Sequence, residues 1–170
     1  MPVERPGAVT LKGRPLTLVG RELKPGDRAP DFKLLKSLTE EVSLSATAGK
    51  VRLISVVPSL DTQVCEQQTR RFNQEASGLG DKVAVLTVSM DLPFAQSRFC
   101  ATAGIGNLQV LSDHRSASFG RRYGVLIKEV RLLCRAIFVV GPDDRIRYVQ
   151  YVKEITEHPD YAGALAAART

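Results

Sequence analysis

The sequence predicts a mixed α/β fold in which helices flank a central sheet and a β-hairpin comes first. Three observations lead to this prediction. Two short apolar runs near the N-terminus are separated by a turn; strand and helix patterns then alternate; and a second pair of strand patterns precedes a C-terminal helix. This order is typical of one mixed sheet with helices on its faces. A chain of 170 residues, 44% of them hydrophobic, is long enough for one such domain.

The N-terminal elements are a tail and a hairpin. Residues 1–8 predict a flexible tail, so the domain is expected to comprise residues 9–170. The apolar segments 9–11 and 16–19 flank residues 12–15, which contain the Gly and Pro of a turn. Two strand patterns separated by such a turn predict a β-hairpin.

A buried strand and an amphipathic helix follow. The strongly apolar run 51–57 predicts a buried strand that ends at Pro58. Residues 61–76 show helical periodicity of apolar side chains, with Asp61 or Thr62 available as the N-cap. The sequence therefore predicts a tight passage from strand to helix at this point.

The rest of the chain continues the alternation. Further strands are predicted at residues 42–44, 83–89, 108–111, 135–140 and 146–152. Further helices are predicted from Pro93 to near Gly104, from Ala117 to Tyr123, and after His158. The last two strands are joined by a hairpin turn at residues 141–144. Together these elements predict a thioredoxin-like layout.

Charge and composition argue against several classes of function, among them nucleic-acid binding and membrane insertion. The net charge is +6, but the arginines are spread from Arg5 to Arg169 and the chain has no Trp. A nucleic-acid-binding module would show a clustered basic stripe with interleaved aromatic residues, so this alternative is not expected. The longest apolar run is shorter than the ~18 residues of a membrane span. The N-terminus lacks the apolar region of a signal peptide, so a cytoplasmic location is expected.

Cys65 lies where the buried strand passes into the first amphipathic helix. Unpaired backbone amides and the positive end of the helix dipole stabilise a thiolate at such a position. Three cysteines are too few for a disulfide framework. Cys65 is therefore predicted to be a reactive thiol. Reduction of a peroxide by such a sulfur would also need hydrogen-bond donors for the leaving hydroxide and a means of resolving the sulfenic acid.

Two side chains that precede Cys65 in the sequence, those of Pro58 and Thr62, are candidate partners of its sulfur. Thr62 is three residues earlier and falls on the same side of the first helical turn, where its hydroxyl would orient a bound peroxide. The alternative is that Thr62 is only an N-cap. Pro58 would shield the sulfur from water, or it serves only to end the strand.

A cation and a second thiol complete the candidate site. Arg135 opens an apolar strand and would stabilise developing negative charge; the alternative is a surface arginine at a strand end. Cys100 lies on a different predicted helix from Cys65 and would form a disulfide with it, or it is a small buried hydrophobe. A disulfide needs Cα atoms within roughly 7 Å, which predicts local unwinding of one or both helices. Cys134 faces away from Arg135 on the strand and is interpreted as a packing residue.

A metal site is not expected, because the chain has no Cys-x-x-Cys pair and His114 and His158 are far apart in sequence. The missing pair also argues against a dithiol exchanger. No cofactor is predicted.

The motif Pro58-x-x-x-Thr62-x-x-Cys65 matches the active-site motif of peroxiredoxins. The longer segments 59–65, 71–73 and 91–100 resemble the bacterial thiol peroxidases, the atypical two-cysteine group of that family. The N-terminal hairpin and the segments 154–156 and 159–161 resemble the same group.

The resemblance implies a thioredoxin-like fold, a homodimer and thioredoxin as the electron donor. It implies that Cys65 is the peroxidatic cysteine, that Cys100 resolves it within the same chain, and that Thr62 and Arg135 activate the peroxide. Hydrogen peroxide and alkyl hydroperoxides would be the substrates. The segment 128–134 departs from the family, in which the residues before this arginine are richer in Gly and Ala, and Cys134 is an extra thiol. A non-enzymatic redox sensor with the same motif remains an alternative.

Overall fold

A computed structural model describes residues 2–170, which form two sheets and four α-helices. The strands are β1 (Glu4–Leu11), β2 (Arg14–Val19), β3 (Leu34–Leu35), β4 (Glu41–Val42), β5 (Val51–Val56), β6 (Val83–Ser89), β7 (Gln109–Ser112), β8 (Leu126–Ile127), β9 (Ala136–Val140) and β10 (Ile146–Tyr151). The helices are α1 (Gln63–Ala76), α2 (Pro93–Ala103), α3 (Ser118–Arg122) and α4 (Tyr161–Arg169). A short 3-10 helix covers Leu44–Thr47.

The larger sheet is mixed, as predicted, and has seven strands in the order β10-β9-β5-β6-β7-β3-β4. Strand β5 pairs in parallel with β6 and antiparallel with β9, and β6 pairs in parallel with β7. Every residue of β5 and of β9 is buried. A strand whose side chains are all buried is covered on both faces, so β5 and β9 lie in the interior of the sheet, with β10 at its edge.

Side-chain alternation along β9 distributes its residues between two cores. Phe138 and Val140 belong to the larger core, and Ile137 and Val139 belong to the smaller core under α1 and α4. Successive side chains of a strand point to opposite faces. The same alternation separates the two residues before β9, because Cys134 lies in the larger core and Arg135 reaches α1.

The N-terminal hairpin is confirmed, but it is longer than predicted. Strand β1 pairs with β2 from Glu4 onward, so residues 4–8 belong to the hairpin and the predicted tail is wrong for them. The Arg5 side chain anchors this end, because its Nε donates to the carbonyl of Gly20 at 3.0 Å and its guanidinium lies 5.1 Å from the centre of the Tyr151 ring. These partners are distant in sequence, and local composition does not reveal them.

The remaining differences between the predicted and the observed secondary-structure elements are small. The strand predicted at residues 42–44 is observed as β4, Glu41–Val42, and Leu44 instead begins the 3-10 helix. Strands β3 and β8, each of two residues, were not predicted, because so short a run has no period. Helix α2 ends at Gly104 in the left-handed conformation, with φ of 68°. None of the helices described within residues 2–170 is long and apolar enough to cross a membrane.

Candidate active site

Cys65 lies in the first turn of α1, shortly after β5 ends. The side chain is fully buried in a small cluster with Val57 and Leu60, and Phe99 and Val110 pack against this cluster. Pro58 is buried and directly follows Val57. The predicted passage from strand to helix is therefore correct, and it places the Cys65 sulfur at the amino end of a fourteen-residue helix.

Thr62 occupies the N-cap position of α1, but its side chain makes no capping hydrogen bond. Its hydroxyl instead donates to the carbonyl of Ser59 at 3.0 Å. Thr62 is exposed, and an oxygen atom in this position retains lone pairs that can accept a further hydrogen bond. The alternative that Thr62 serves only as a side-chain cap is therefore not supported by the geometry.

Arg135 is only 2% exposed, which excludes the alternative of a surface arginine. Its Nε donates to the carbonyl of Ile155 at 3.0 Å, and its Nη1 donates to Oε1 of Gln68 at 2.9 Å. Gln68 in turn donates through Nε2 to Oγ of Ser55 at 2.7 Å. A buried charge needs such partners, and they fix the guanidinium against α1.

Sequence reasoning did not assign a role to Gln68. It lies three residues after Cys65, within the apolar stripe of α1, and its side chain is fully buried. A polar residue on the apolar face of a predicted helix is the signal that would have singled it out.

Pro58, Thr62 and Arg135 line a common cavity of about 550 Å³. The other lining residues are mainly apolar and come from the hairpin, α1 and the segments around β8 and Ile155: Leu11, Leu16, Val64, Ile127, Val130, Leu132 and Ile155, with the polar residues Lys12, Gln63 and Thr156. The structure therefore brings together three of the predicted site residues. Val64, the residue before Cys65, lines the cavity, whereas Cys65 itself is fully buried and is not part of the lining.

The segment that departs from the family pattern forms part of the rim of this cavity. Val130 and Leu132 line the cavity and are 49% and 36% exposed. Leu11, on the hairpin, lies on the same cavity and is 38% exposed. The mouth of the cavity is therefore an exposed apolar surface.

Cys100 lies on α2 and is half-buried. Burial raises the pKa of its thiol above the ordinary value. All three cysteines, which fall within the described residues, are free thiols. Phe99, rather than Cys100, packs against the cluster around Cys65. The structure thus places the two predicted redox cysteines on neighbouring helices without joining them.

Cys134 is fully buried in the larger core, which confirms its interpretation as a packing residue. Burial raises the pKa of its thiol to about 12. Its backbone N–H donates to the carbonyl of Val125 at 2.8 Å.

A carboxylate links the segments that precede the two cysteine-bearing helices. Asp91 accepts hydrogen bonds from Oγ of Ser59 and the backbone N–H of Leu60, each at 2.8 Å, and from Oγ of Ser89 at 2.7 Å. Sequence reasoning did not predict this link. It ties the loop that holds Thr62 to the strand end that leads into α2. Within residues 2–170, no cluster of three or more His, Cys, Asp or Glu side chains could hold a metal ion.

Comparison with known proteins gives a consistent result. Residues 24–165 match the family model described as Redoxin. The chain is 57% identical over 162 residues to a protein named thiol peroxidase from Halalkalibacterium halodurans, with 95% of this chain and 97% of that protein covered. It is 54% identical over 161 residues to the thiol peroxidase of Bacillus subtilis, covering 95% and 96%.

Solved structures agree with the fold. A peroxiredoxin-like protein from Aquifex aeolicus superposes with a TM-score of 0.89 at 44% identity, covering 96% of both chains. A thiol peroxidase from Chromobacterium violaceum superposes with a TM-score of 0.83 at 21% identity, covering 93% of both chains, and at this identity it supports the fold alone.

Proposed function

We infer the reaction of this chain from its family: it belongs to the redoxin family and, within it, to the thiol peroxidases. We propose that it reduces hydrogen peroxide and organic hydroperoxides through Cys65, with Cys100 as the resolving thiol and thioredoxin as the reductant. The observation that carries this proposal is the meeting of Thr62 and Arg135 at one cavity beside the first turn of α1.

In the proposed first step the Cys65 thiolate attacks the terminal oxygen of the peroxide. An S–O bond forms, the O–O bond breaks, and the leaving oxygen takes a proton to depart as water or an alcohol. Negative charge moves from sulfur to the leaving oxygen during this step. The Arg135 guanidinium, the Thr62 hydroxyl and the amides of the first turn of α1 are the donors that would stabilise it.

The geometry supports this assignment of Arg135. Gln68 and the carbonyl of Ile155 hold two nitrogens of its guanidinium, and the residue lines the cavity. A donor that is fixed before the reaction loses little free energy to reorganisation when charge develops.

In the proposed second step the sulfur of Cys100 attacks the sulfur of the Cys65 sulfenic acid. An S–S bond forms, the S–O bond breaks, and hydroxide leaves with the proton of Cys100 as water. Thioredoxin then reduces the disulfide by thiol–disulfide exchange. Because the two cysteines lie on separate helices, the second step requires local unwinding.

The apolar walls of the 550 Å³ cavity support organic hydroperoxides as substrates alongside hydrogen peroxide. Pro58 lies in the wall next to Thr62 and would exclude water from the reacting sulfur. We place the reaction in the cytoplasm, where dithiol reductants keep thiols reduced. A homodimer is proposed on the family resemblance.

The test is a thioredoxin-coupled assay of peroxide consumption with the wild-type protein, Cys65→Ser and Cys134→Ala. We expect Cys65→Ser to lose turnover by ~10³-fold or more, because the nucleophile is removed. Cys134→Ala is the matched control, since it deletes a buried thiol away from the cavity, and it should retain turnover. Full activity of Cys65→Ser would contradict the proposal, and consumption of a single equivalent by the wild type would favour a sensor.

A further inference from the structure

Phe99, the residue before Cys100, occupies the side of the Cys65 cluster that faces α2. It packs against the group formed by Val57, Leu60 and Cys65. Successive residues of an α-helix point about 100° apart, so an intact α2 cannot direct both Phe99 and Cys100 into this space. We propose that Phe99 is a positioning residue that holds Cys100 away from Cys65 and so sets the lifetime of the Cys65 sulfenic acid. This inference rests on the proposed function.

The two halves of α2 are held unequally. Of its eleven residues, all described, the buried ones are Pro93 and Gln96, both in the first half. Gln96 donates through Nε2 to the carbonyl of Leu111 at 2.9 Å and to Oγ of Ser89 at 3.0 Å. The second half, from Phe99 to the left-handed Gly104, lacks a buried residue. The helix is therefore expected to unwind beyond Gln96 while its first half stays in place.

A gap also separates the second half of α2 from the first turn of α1. A cavity of about 310 Å³ lies between α1 and α2, and Phe99 is part of its lining. The other lining residues are Leu60, Asp61, Glu66, Ala95, Arg98 and Thr102. Because Arg98, Phe99 and Thr102 themselves form one wall of this cavity, the wall moves when the second half of α2 unwinds. The Phe99 ring then leaves the Cys65 cluster with the helix, and Cys100 can take its place.

The closed arrangement also lowers the reactivity of Cys100. Burial raises the pKa of the Cys100 thiol, and a protonated thiol is a poor nucleophile. Unwinding exposes the thiol to water and removes this effect. Before Phe99 moves, the distance between Cys100 and Cys65 and the protonation of the Cys100 thiol therefore both slow disulfide formation.

Phe99 would consequently control a partition between two fates of the sulfenic acid. In one, Cys100 attacks, an S–S bond replaces the S–O bond, and water leaves. In the other, the Cys65 sulfur attacks a second peroxide molecule, gains another oxygen as sulfinic acid, and releases water or an alcohol. A slower approach of Cys100 favours the second fate.

The experiment compares Phe99→Ala with Phe94→Ala. Phe94 is on the same helix, is 66% exposed, and lies outside the Cys65 cluster, so it is the matched control. Reduced protein is mixed with one equivalent of hydrogen peroxide, quenched with acid at successive times, and analysed by mass spectrometry for sulfenic acid and disulfide.

We expect Phe99→Ala to form the Cys65–Cys100 disulfide about tenfold faster than the wild type, which corresponds to ~1.4 kcal/mol in the barrier. The hydrogen peroxide concentration that gives half sulfinic acid should rise by about the same factor. Phe94→Ala should match the wild type in both measurements.

Phe99→Leu retains an apolar side chain and decides the matter if Phe99→Ala does not fold. A smaller acceleration in Phe99→Leu supports the inference, and an unchanged or slower disulfide step in the folded variants overturns it. A wild-type protein that forms no Cys65–Cys100 disulfide would instead overturn the proposed function. The two failures are therefore distinguishable.

Discussion

Helices α1 and α2 carry the two proposed redox cysteines, and they are held in the fold very differently. The fourteen residues of α1 are all described, and its buried side chains, Cys65, Gln68, Thr69 and Phe72, form a stripe at helical spacing along the sheet. The buried side chains of α2 are those of Pro93 and Gln96, both near the beginning of the helix. Helix α1 therefore keeps its side chains fixed, whereas the far half of α2 has little buried surface to lose when it opens.

The difference matches the two demands of the proposed reaction. Charge stabilisation in the peroxide step needs donors that are fixed in advance, and α1 supplies Gln68 to fix Arg135. Disulfide formation needs a thiol that can travel, and α2 supplies Cys100 on its weakly held half. Substitutions on the α1 side should therefore change the first step, and substitutions on the α2 side should change the second.

The largest effect is expected for Arg135→Met, which removes the cation at similar volume. We expect the second-order rate constant for oxidation of Cys65 to fall by ~10²- to 10³-fold, as for loss of one donor to a developing oxyanion. The measurement is stopped-flow oxidation by hydrogen peroxide, with Arg147→Met, an exposed arginine, as the control. A rate within threefold of the wild type would remove Arg135 from the proposed mechanism.

Cys100→Ser tests the other helix. Steady-state turnover with thioredoxin should fall by ~10²-fold, because the sulfenic acid loses its intrachain partner, while the first oxidation should stay within about threefold of the wild type. Normal turnover would indicate that Cys134 or a thiol of another chain resolves the intermediate. Mass spectrometry of the oxidised wild type should show a Cys65–Cys100 peptide.

Gln68→Leu should have a smaller effect on the same step as Arg135→Met. It leaves Nη1 of Arg135 and the hydroxyl of Ser55 without their partner, which costs ~1–3 kcal/mol of stability for a buried polar group. We expect Cys65 oxidation to slow by ~10-fold, because the guanidinium is less well fixed.

Thr69→Val is the control for Gln68, since it removes a buried hydroxyl from the same helix that donates to the carbonyl of Cys65. It should lose stability but retain the oxidation rate. Equal slowing in both variants would mean that Gln68 acts only through the stability of α1. Circular dichroism melting curves provide the stability comparison.

Much of this architecture follows from local pattern. Three elements can be predicted from residues close together in sequence: β5 from its apolar run, α1 from its stripe of buried side chains, and the end of α2 from Gly104. Each of these patterns reflects burial or backbone sterics within a few residues. The anchoring of residues 4–8 through Arg5 does not follow from pattern, since it depends on partners in other parts of the chain.

The same division applies to the site. Pro58, Thr62 and Cys65 form a local motif, and the sequence predicts their placement from the strand–helix junction. The link from Arg135 to Gln68 and the three hydrogen bonds to Asp91 require tertiary packing. The sequence indicates which residue types are present for the chemistry, but it does not indicate which buried polar groups hold them.

Substitution of Cys134 should have the smallest effect on turnover. This residue also provides the reference for a fully buried thiol, with which the accessibility of Cys100 on α2 can be compared. Cys134 is fully buried in the larger core, and burial raises the pKa of its thiol to about 12, so at pH 8 almost none of it is thiolate. We expect iodoacetamide to label Cys100 in the native protein at pH 8 and to spare Cys134 until the fold is denatured. Cys134→Ala should lose ~1–2 kcal/mol of stability from the cavity it leaves and retain turnover. Equal labelling of the two thiols would show that the core around Cys134 opens as readily as the far half of α2. The proposed difference in local stability between the sheet with α1 and the second half of α2 would then be wrong.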